Sequence, residues 1–305
     1  MVTLRRLRLN GAPRARSGPH SLIYTETAPS ADSEQPHPIR KLGEPAALKT
    51  NLAYDNLKSA EIKLKIWLIS ASPHLTAMTL ENTRHCSFTA RLDCRYLVHA
   101  PEEVDDRTLL VAALHGFSAN PEAMLRLTAG MMGPQHAIAA VEGPNQFYLG
   151  MGSNEVGYGW ATHKHPDSSV RLHHDMVLHV LNEAGREYGI PASRRILAGF
   201  SQPVGMNYRF AATHPGEIRG VIGICGGIPR NWEEGPYRPV TAAVLHIARR
   251  EDEFYKPEVT ERYADRLRLR AADVEFHMLE GGHRFPSKAR PIADAWLRRV
   301  MGWAD

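Results

Sequence analysis

Apolar runs and amphipathic stretches alternate along most of this chain. Residues 109–114 and 137–141 are continuous apolar runs, the pattern of strands buried on both faces. Residues 196–200, 221–225, 243–247 and 274–279 are further expected strands, the last two interrupted by His246 and by Glu275 and His277. Between them lie stretches of helical period: 121–132, 168–188, 202–214, 257–271 and 288–301. In 168–188 the apolar positions Val170, Met176, Val177, Val180 and Leu181 share one side, and Ser168 and Ser169 are candidate caps. Residues 88–98 alternate as a half-exposed strand would. Residues 142–167 carry no clear period and are expected as a long loop. Strand and helix taking turns argue for an α/β fold, a doubly wound and mostly parallel sheet with helices on both faces. In such a sheet the chemistry gathers at the C-terminal ends of the strands.

The first 77 residues do not share this order. Residues 1–50 hold six prolines and no sustained period, and cannot bury enough apolar surface to offset their ordering entropy. Residues 51–71 could form one short element around Ile62, Leu64, Ile66 and Leu68. The chain therefore divides into a basic extension, 1–77, expected to be disordered, and a folded domain, 78–305. The alternative for the first part is that translation starts at Met78. Charge divides at the same point. Residues 1–77 hold 11 Lys and Arg against 6 Asp and Glu, while the remaining 228 residues hold 26 against 27. The formal net charge of +4 thus belongs to one end. The main domain has no basic surplus for nucleic acid. No apolar run approaches the roughly 18 residues of a membrane-spanning helix. Three cysteines, Cys86, Cys94 and Cys225, form no CxxC pair. Free thiols in a reducing cytoplasm are expected, with a Cys86–Cys94 bridge as the alternative for an exported chain.

Three strand ends carry candidate chemistry. Gly199-Phe200-Ser201-Gln202-Pro203 follows one buried strand and opens a helix. A serine on that turn stands above the sheet, where the helix N-terminus aims backbone N–H groups. Gly-x-Ser alone is weak, since it recurs at Gly116-Phe117-Ser118. The strand–serine–helix context is what raises Ser201. Leu114-His115-Gly116-Phe117 closes an earlier strand. Further on, Glu251-Asp252-Glu253 and Gly281-Gly282-His283 each follow a strand. Serine is a poor nucleophile until a histidine takes its proton, and a buried carboxylate fixes that imidazole's tautomer. The order serine, acid, histidine supplies all three. The two glycines would let His283 swing in. The residues alone leave Glu251, Asp252 and Glu253 open as the acid.

Leu-His-Gly at 114–116, Gly-Phe-Ser-Gln at 199–202, the acid segment Glu251 to Tyr255 and Gly-Gly-His at 281–283 together resemble one known family. Residues of roughly 86–300 look like the phospholipase/carboxylesterase branch of the α/β-hydrolase superfamily, which includes acyl-protein thioesterases and small bacterial esterases. The resemblance implies Ser201 as nucleophile, Asp252 as acid and His283 as base. It further implies an oxyanion hole from the backbone N–H groups of Phe117 and Gln202, with Ser118 in the oxyanion loop. One position departs from the family, which usually has glycine where this chain has Pro203. The residue before a proline is pushed out of the α region, so a strained or displaced turn is expected.

The resemblance implies a serine hydrolase of small carboxylic esters or thioesters, acting through an acyl-enzyme without a cofactor. Tyr158, Trp160 and His115 are candidates to line the substrate pocket. His163, His165, His173, His174 and His179 invite a metal reading, but no HExxH occurs and no metal is expected. Two alternatives stand beside the hydrolase. One is a catalytically silent domain of the same fold that only binds; the other is a lysophospholipase or acyltransferase.

Overall fold

A computed structural model describes residues 83–303. The expectations for 1–77, including the element around Ile62, lie outside the described residues.

The centre is a seven-stranded sheet. In chain order its strands are β1 (Tyr96–His99), β2 (Leu110–Leu114), β3 (Ala137–Val141), β6 (Arg195–Phe200), β7 (Gly220–Ile224), β8 (Ala243–Arg249) and β9 (Val274–Leu279). Across the sheet they run β1-β3-β2-β6-β7-β8-β9. Only β1 is antiparallel to its neighbour; the other pairs are parallel. Helices α1 (Pro121–Met132), α2 (Pro166–Glu187), α3 (Val204–Thr213), α4 (Pro257–Thr260), α5 (Tyr263–Arg268) and α6 (Ala289–Met301) provide the crossovers and the close. Strands β4 (Asn145–Tyr148) and β5 (Val156–Gly159) form a separate antiparallel hairpin.

The apolar runs are explained by two cores, one on each face. Every residue of β2, β3 and β7 is buried. Along β2 the side chains alternate: Leu110, Ala112 and Leu114 join Val177, Leu181 and Phe210 on the face of α2 and α3. Val111 and Ala113 join Met124, Met131, Trp296 and Leu297 on the face of α1 and α6. Period two along each strand thus feeds both layers. Among the described residues no helix is long and apolar enough to cross a membrane.

Four local expectations are corrected. The alternating stretch 88–98 yields only β1, because β1 is an edge strand and its sole partner, β3, is short. Phe88 and Leu92 are left exposed. Helix α2 starts before Ser168 and Ser169, at Pro166, after His165 in the left-handed region (φ 50°). The His165 carbonyl accepts from the N–H groups of both serines, so neither serves as a side-chain cap. Proline suits this first position because its missing N–H would have had no partner. The stretch 257–271 breaks into α4 and α5, joined by a tight turn in which Arg262 N–H donates to the Val259 carbonyl. The loop 142–167 contains the β4–β5 hairpin, foreshadowed by aromatic pairs flanking the turn-forming Gly150-Met-Gly-Ser-Asn. The three thiols are free, with Cys86 and Cys94 exposed and Cys225 buried.

Several histidines are built into the core as neutral groups. Burial lowers the pKa of His173 to about 3, of His174 to about 4 and of His246 to about 3. His173 Nε2–H donates to Asn207 Oδ1 at 3.1 Å, and His246 Nδ1 lies 2.6 Å from the Tyr208 hydroxyl. In the unfolded chain each would titrate near 6.5. Above that pH both states are neutral and these groups add no pH dependence. Below it the unfolded chain takes up protons that the native state refuses, so stability falls as pH drops. The slope is about 1.4 kcal/mol per pH unit for each histidine, down to roughly pH 4. Urea unfolding between pH 7 and 4.5 should show this loss. His174→Phe, which removes a ring nitrogen left without a partner, should show a shallower one.

Candidate active site

The loops that leave β6, β8 and β9 meet at one edge of the sheet. Ser201 follows β6 directly and takes φ 63°, the left-handed region that an L-residue adopts only when its surroundings impose it. Here they do. Its N–H donates to the Ile224 carbonyl at 2.8 Å, prolonging the β6–β7 ladder, and its carbonyl accepts from Val204 N–H at 3.2 Å. The loops after β8 and β9 are joined in the same way. Arg250 N–H donates to Leu279 C=O at 2.8 Å and Glu251 N–H to Gly281 C=O at 3.1 Å. Glu253 Oε2 then accepts from His283 N–H at 2.9 Å. Gly281 takes φ 110°, so the bend before His283 uses one glycine of the pair.

This framework brings Ser201, Asp252 and His283 together. His283 Nε2 is 2.9 Å from Ser201 Oγ, and Nδ1 is 2.8 Å from Asp252 Oδ2. Asp252 Oδ1 accepts from the N–H groups of Phe254 at 2.9 Å and Tyr255 at 2.8 Å. Of the three acids in the segment, Asp252 alone is buried. Glu253 holds the histidine's backbone, and hydrogen bonds from its own backbone N–H first and from His283 N–H keep its carboxyl below the usual range. The imidazole is walled by three rings: Phe200 at 5.1 Å, Phe254 at 4.9 Å and Tyr255 at 5.8 Å. Burial raises the pKa of the Tyr255 phenol. Sequence reasoning did not single out Tyr255; its place in the acid segment was visible, its packing beside the His283 ring was not. The arrangement can carry a proton from the serine hydroxyl to an imidazole whose other nitrogen is fixed by a carboxylate.

Phe117 and Gln202 flank the serine. Among the described residues neither backbone N–H donates to a protein acceptor. Gly116 permits the approach of the two loops, since a Cβ there would lie 2.9 Å from the Phe200 ring and 3.3 Å from Ser201 Cβ. The β4–β5 hairpin holds the first loop from above: Ser118 N–H donates to Tyr158 C=O at 2.9 Å, and Tyr158 N–H to Ala119 C=O at 3.1 Å. The Gln202 side chain clasps the hairpin's end. Its Oε1 accepts from Trp160 N–H and its Nε2 donates to Ala161 C=O, both at 2.8 Å.

The three residues expected to line a pocket serve this scaffold. Trp160 is fully buried, donates its indole N–H to His115 C=O at 2.8 Å and packs on His115 and His173. His115 is buried with both ring nitrogens engaged: Nδ1–H donates to Gly116 C=O at 2.7 Å and Nε2 accepts from Gly143 N–H at 3.0 Å. Neither offers surface to a ligand. Tyr158 is half-buried, its ring edge-on to that of His115 at 6.1 Å. The surface beside the serine comes instead from Phe117, 56% exposed and stacked on Phe147, and from Phe254, 75% exposed.

One cluster among the described residues has the spacing of a metal site: Cys225, Asp252 and His283. Its chemistry fits poorly. Burial, with Asp252 adding to it, pushes the Cys225 thiol up to about 12, so it is a neutral S–H and not the thiolate a metal needs. The carboxylate and imidazole are already bound to each other.

Pro203 does not displace the turn. At φ −74° and ψ −12° it takes a helical conformation, and its carbonyl accepts from Met206 and Asn207 N–H, both at 2.9 Å. Helix α3 starts after it, so Gln202 N–H stays outside the helix. Pro203→Gly should therefore leave turnover within a few-fold. It should lower stability by about 0.4–1 kcal/mol, from added freedom in the unfolded chain, as thermal melting would record.

No family model matches the chain, and no curated protein matches it in sequence. Solved structures do match. The carboxylesterase of Mesorhizobium loti is 20% identical, with 69% of this chain and 97% of that one covered at a TM-score of 0.56. The Bacillus cereus carboxylesterase is 14% identical, covering 68% and 94% at 0.55. Acyl-protein thioesterase 2 of Zea mays is 18% identical, covering 68% and 99% at 0.53. At such identities the likeness speaks for architecture, and the architecture of this chain is the α/β-hydrolase fold.

Proposed function

We propose that this protein is a serine hydrolase of carboxylic esters or thioesters that works through an acyl-enzyme on Ser201. The observation that carries the reading is the continuous line from Ser201 Oγ through His283 to Asp252, at 2.9 and 2.8 Å, beside two backbone N–H groups without an acceptor. That the solved neighbours include carboxylesterases and a thioesterase supports it.

Ser201 Oγ attacks the substrate carbonyl as His283 Nε2 takes its proton. The carbonyl oxygen becomes an anion facing the N–H groups of Phe117 and Gln202. A lost donor of this kind costs about 2.7–4 kcal/mol. Asp252 keeps Nδ1 protonated and offsets the imidazolium charge. The imidazolium then protonates the leaving group. Water, activated by the same nitrogen, releases the acid. Phe117 and Phe254 offer apolar surface on either side, which suits an uncharged acyl or alcohol group. A silent binding domain would have no use for this hydrogen-bonded line. No observation favours an acyltransferase or a lysophospholipase over simple hydrolysis.

Treatment with a fluorophosphonate should add one adduct by intact mass. The adduct should vanish in Ser201→Ala and persist in Ser118→Ala. Asp252→Asn should keep the fold yet lower kcat on p-nitrophenyl esters by about 10³–10⁴-fold, through the wrong imidazole tautomer. A folded protein with no adduct would speak for the silent domain.

A further inference from the structure

Glu253 is exposed, yet it is hydrogen-bonded to the histidine on which the mechanism turns. Its Oε2 accepts from His283 N–H at 2.9 Å. His283 is the central residue of a three-residue turn, in which Arg284 N–H donates to Gly282 C=O at 2.7 Å. Such a turn gives the central N–H no internal partner, and Glu253 supplies one.

The position of that carboxylate is set by the acid beside it. Asp252 Oδ1 accepts from Phe254 and Tyr255 N–H, which folds 252–255 into a tight turn around Glu253. Asp252 and Glu253 therefore hold His283 at two separate points. Asp252 Oδ2 holds the ring at Nδ1, 2.8 Å away, and Glu253 holds the main chain. Gly282 lets the second contact close. A Cβ there would lie 3.3 and 3.4 Å from the two Glu253 oxygens. Gly282 is not among the glycines of positive φ, so its backbone does not call for glycine. The approach of the carboxylate does.

A hydrogen bond to Nδ1 alone fixes one ring atom and leaves the residue free to pivot about it. Anchoring the N–H of the same residue removes that swing, which would carry Nε2 away from Ser201 Oγ, now 2.9 Å distant. Nε2 has to serve two partners in turn, the serine hydroxyl and the leaving group. A misplacement of about 1 Å can cost on the order of 100-fold in rate.

Resting on the serine-hydrolase reading, we propose that Glu253 is a positioning residue: by holding the backbone N–H of His283 it keeps Nε2 in line with Ser201. The acceptor oxygen is the active part. Water screens the charge of so exposed a carboxylate, whereas the hydrogen bond keeps its geometry.

The test uses the full chain and p-nitrophenyl esters. Glu253→Ala should lower kcat by about 10- to 100-fold and leave KM within about twofold, because no substrate-facing surface changes. Glu253→Gln keeps an acceptor oxygen and should recover all but about threefold of that loss. Gly282→Ala makes the carboxylate give way by a few tenths of an ångström and should cost about three- to fivefold. Added to Glu253→Ala, it should cost nothing further. Endpoint fluorophosphonate labelling counts competent serines, so each kcat is expressed per active site and a misfolded fraction drops out. Undiminished kcat per site in Glu253→Ala would overturn the proposal. So would a loss that Glu253→Gln fails to restore, which would make the charge the agent. Gly282→Ala adding its full cost to Glu253→Ala would overturn it as well. Labelled wild type with an indifferent Glu253→Ala defeats only the positioning role; unlabelled wild type defeats the hydrolase reading itself.

Discussion

The burial of the parallel sheet on both faces is the constraint on which the site depends. Because β2, β3 and β7 have no exposed residue, each crossover must return under a helix and re-enter at the same end. All the loops that follow the parallel strands then open at the opposite edge. The ladder does not stop where the strands stop. Ser201 N–H reaches Ile224 C=O, Cys225 N–H reaches Ile247 C=O, and Arg250 N–H reaches Leu279 C=O. These rungs carry the strand register one residue into each loop. Three side chains separated by 51 and 31 positions therefore meet with two ordinary hydrogen bonds and no bridging element.

The serine's backbone is the costly point in that arrangement. A left-handed non-glycine residue costs of order 1–3 kcal/mol, and Ser201 and Cys225 both adopt it, at φ 63° and 46°. Both lie one residue beyond a buried strand, β6 and β7, where the packed sheet over-determines their position. Pro203 contributes by restricting the chain on the other side of the serine. Its fixed φ is already helical, so the turn passes into α3 without needing the N–H that proline lacks.

The sequence made the sheet and the residues of the Ser201–His283–Asp252 cluster legible for related reasons. Short apolar runs between helical stretches fit strands covered on both faces, and α1, β3 and β9 fall on the residues expected for them. Ser201 was readable because it follows such a run with glycine beside it, and His283 because it follows a strand and two glycines. The choice of Asp252 over Glu251 and Glu253 needed the resemblance, since the three differ in burial, which a charged tripeptide does not advertise. What stayed hidden lies in non-local pairing. The extent of β1 is set by β3, not by the alternation in 88–98. The β4–β5 hairpin was obscured by a seven-residue turn between two four-residue strands. Trp160 and His115 have the residue types of a binding pocket, and only burial reveals that they brace the loop after β2.

Charge at the buried end of the triad is kept to a single unit. Asp252 is 3% exposed, and a lone carboxylate there would carry a heavy desolvation cost. Its two oxygens are answered by three N–H donors: two backbone groups on Oδ1 and the imidazole on Oδ2. The Cys225 sulfur lies within 4.8 Å of this carboxylate. Were it a thiolate, two anions would share one dry site, and the imidazole would have to choose between them. Burial, reinforced by Asp252 itself, keeps the thiol protonated, with Sγ directed at the Arg284 carbonyl 3.6 Å away. A small neutral neighbour leaves the whole field of the carboxylate acting on Nδ1. The result is one negative charge, fully hydrogen-bonded and aimed along the imidazole toward the serine, which is the electrostatic condition for His283 to accept a proton at Nε2 and hold it.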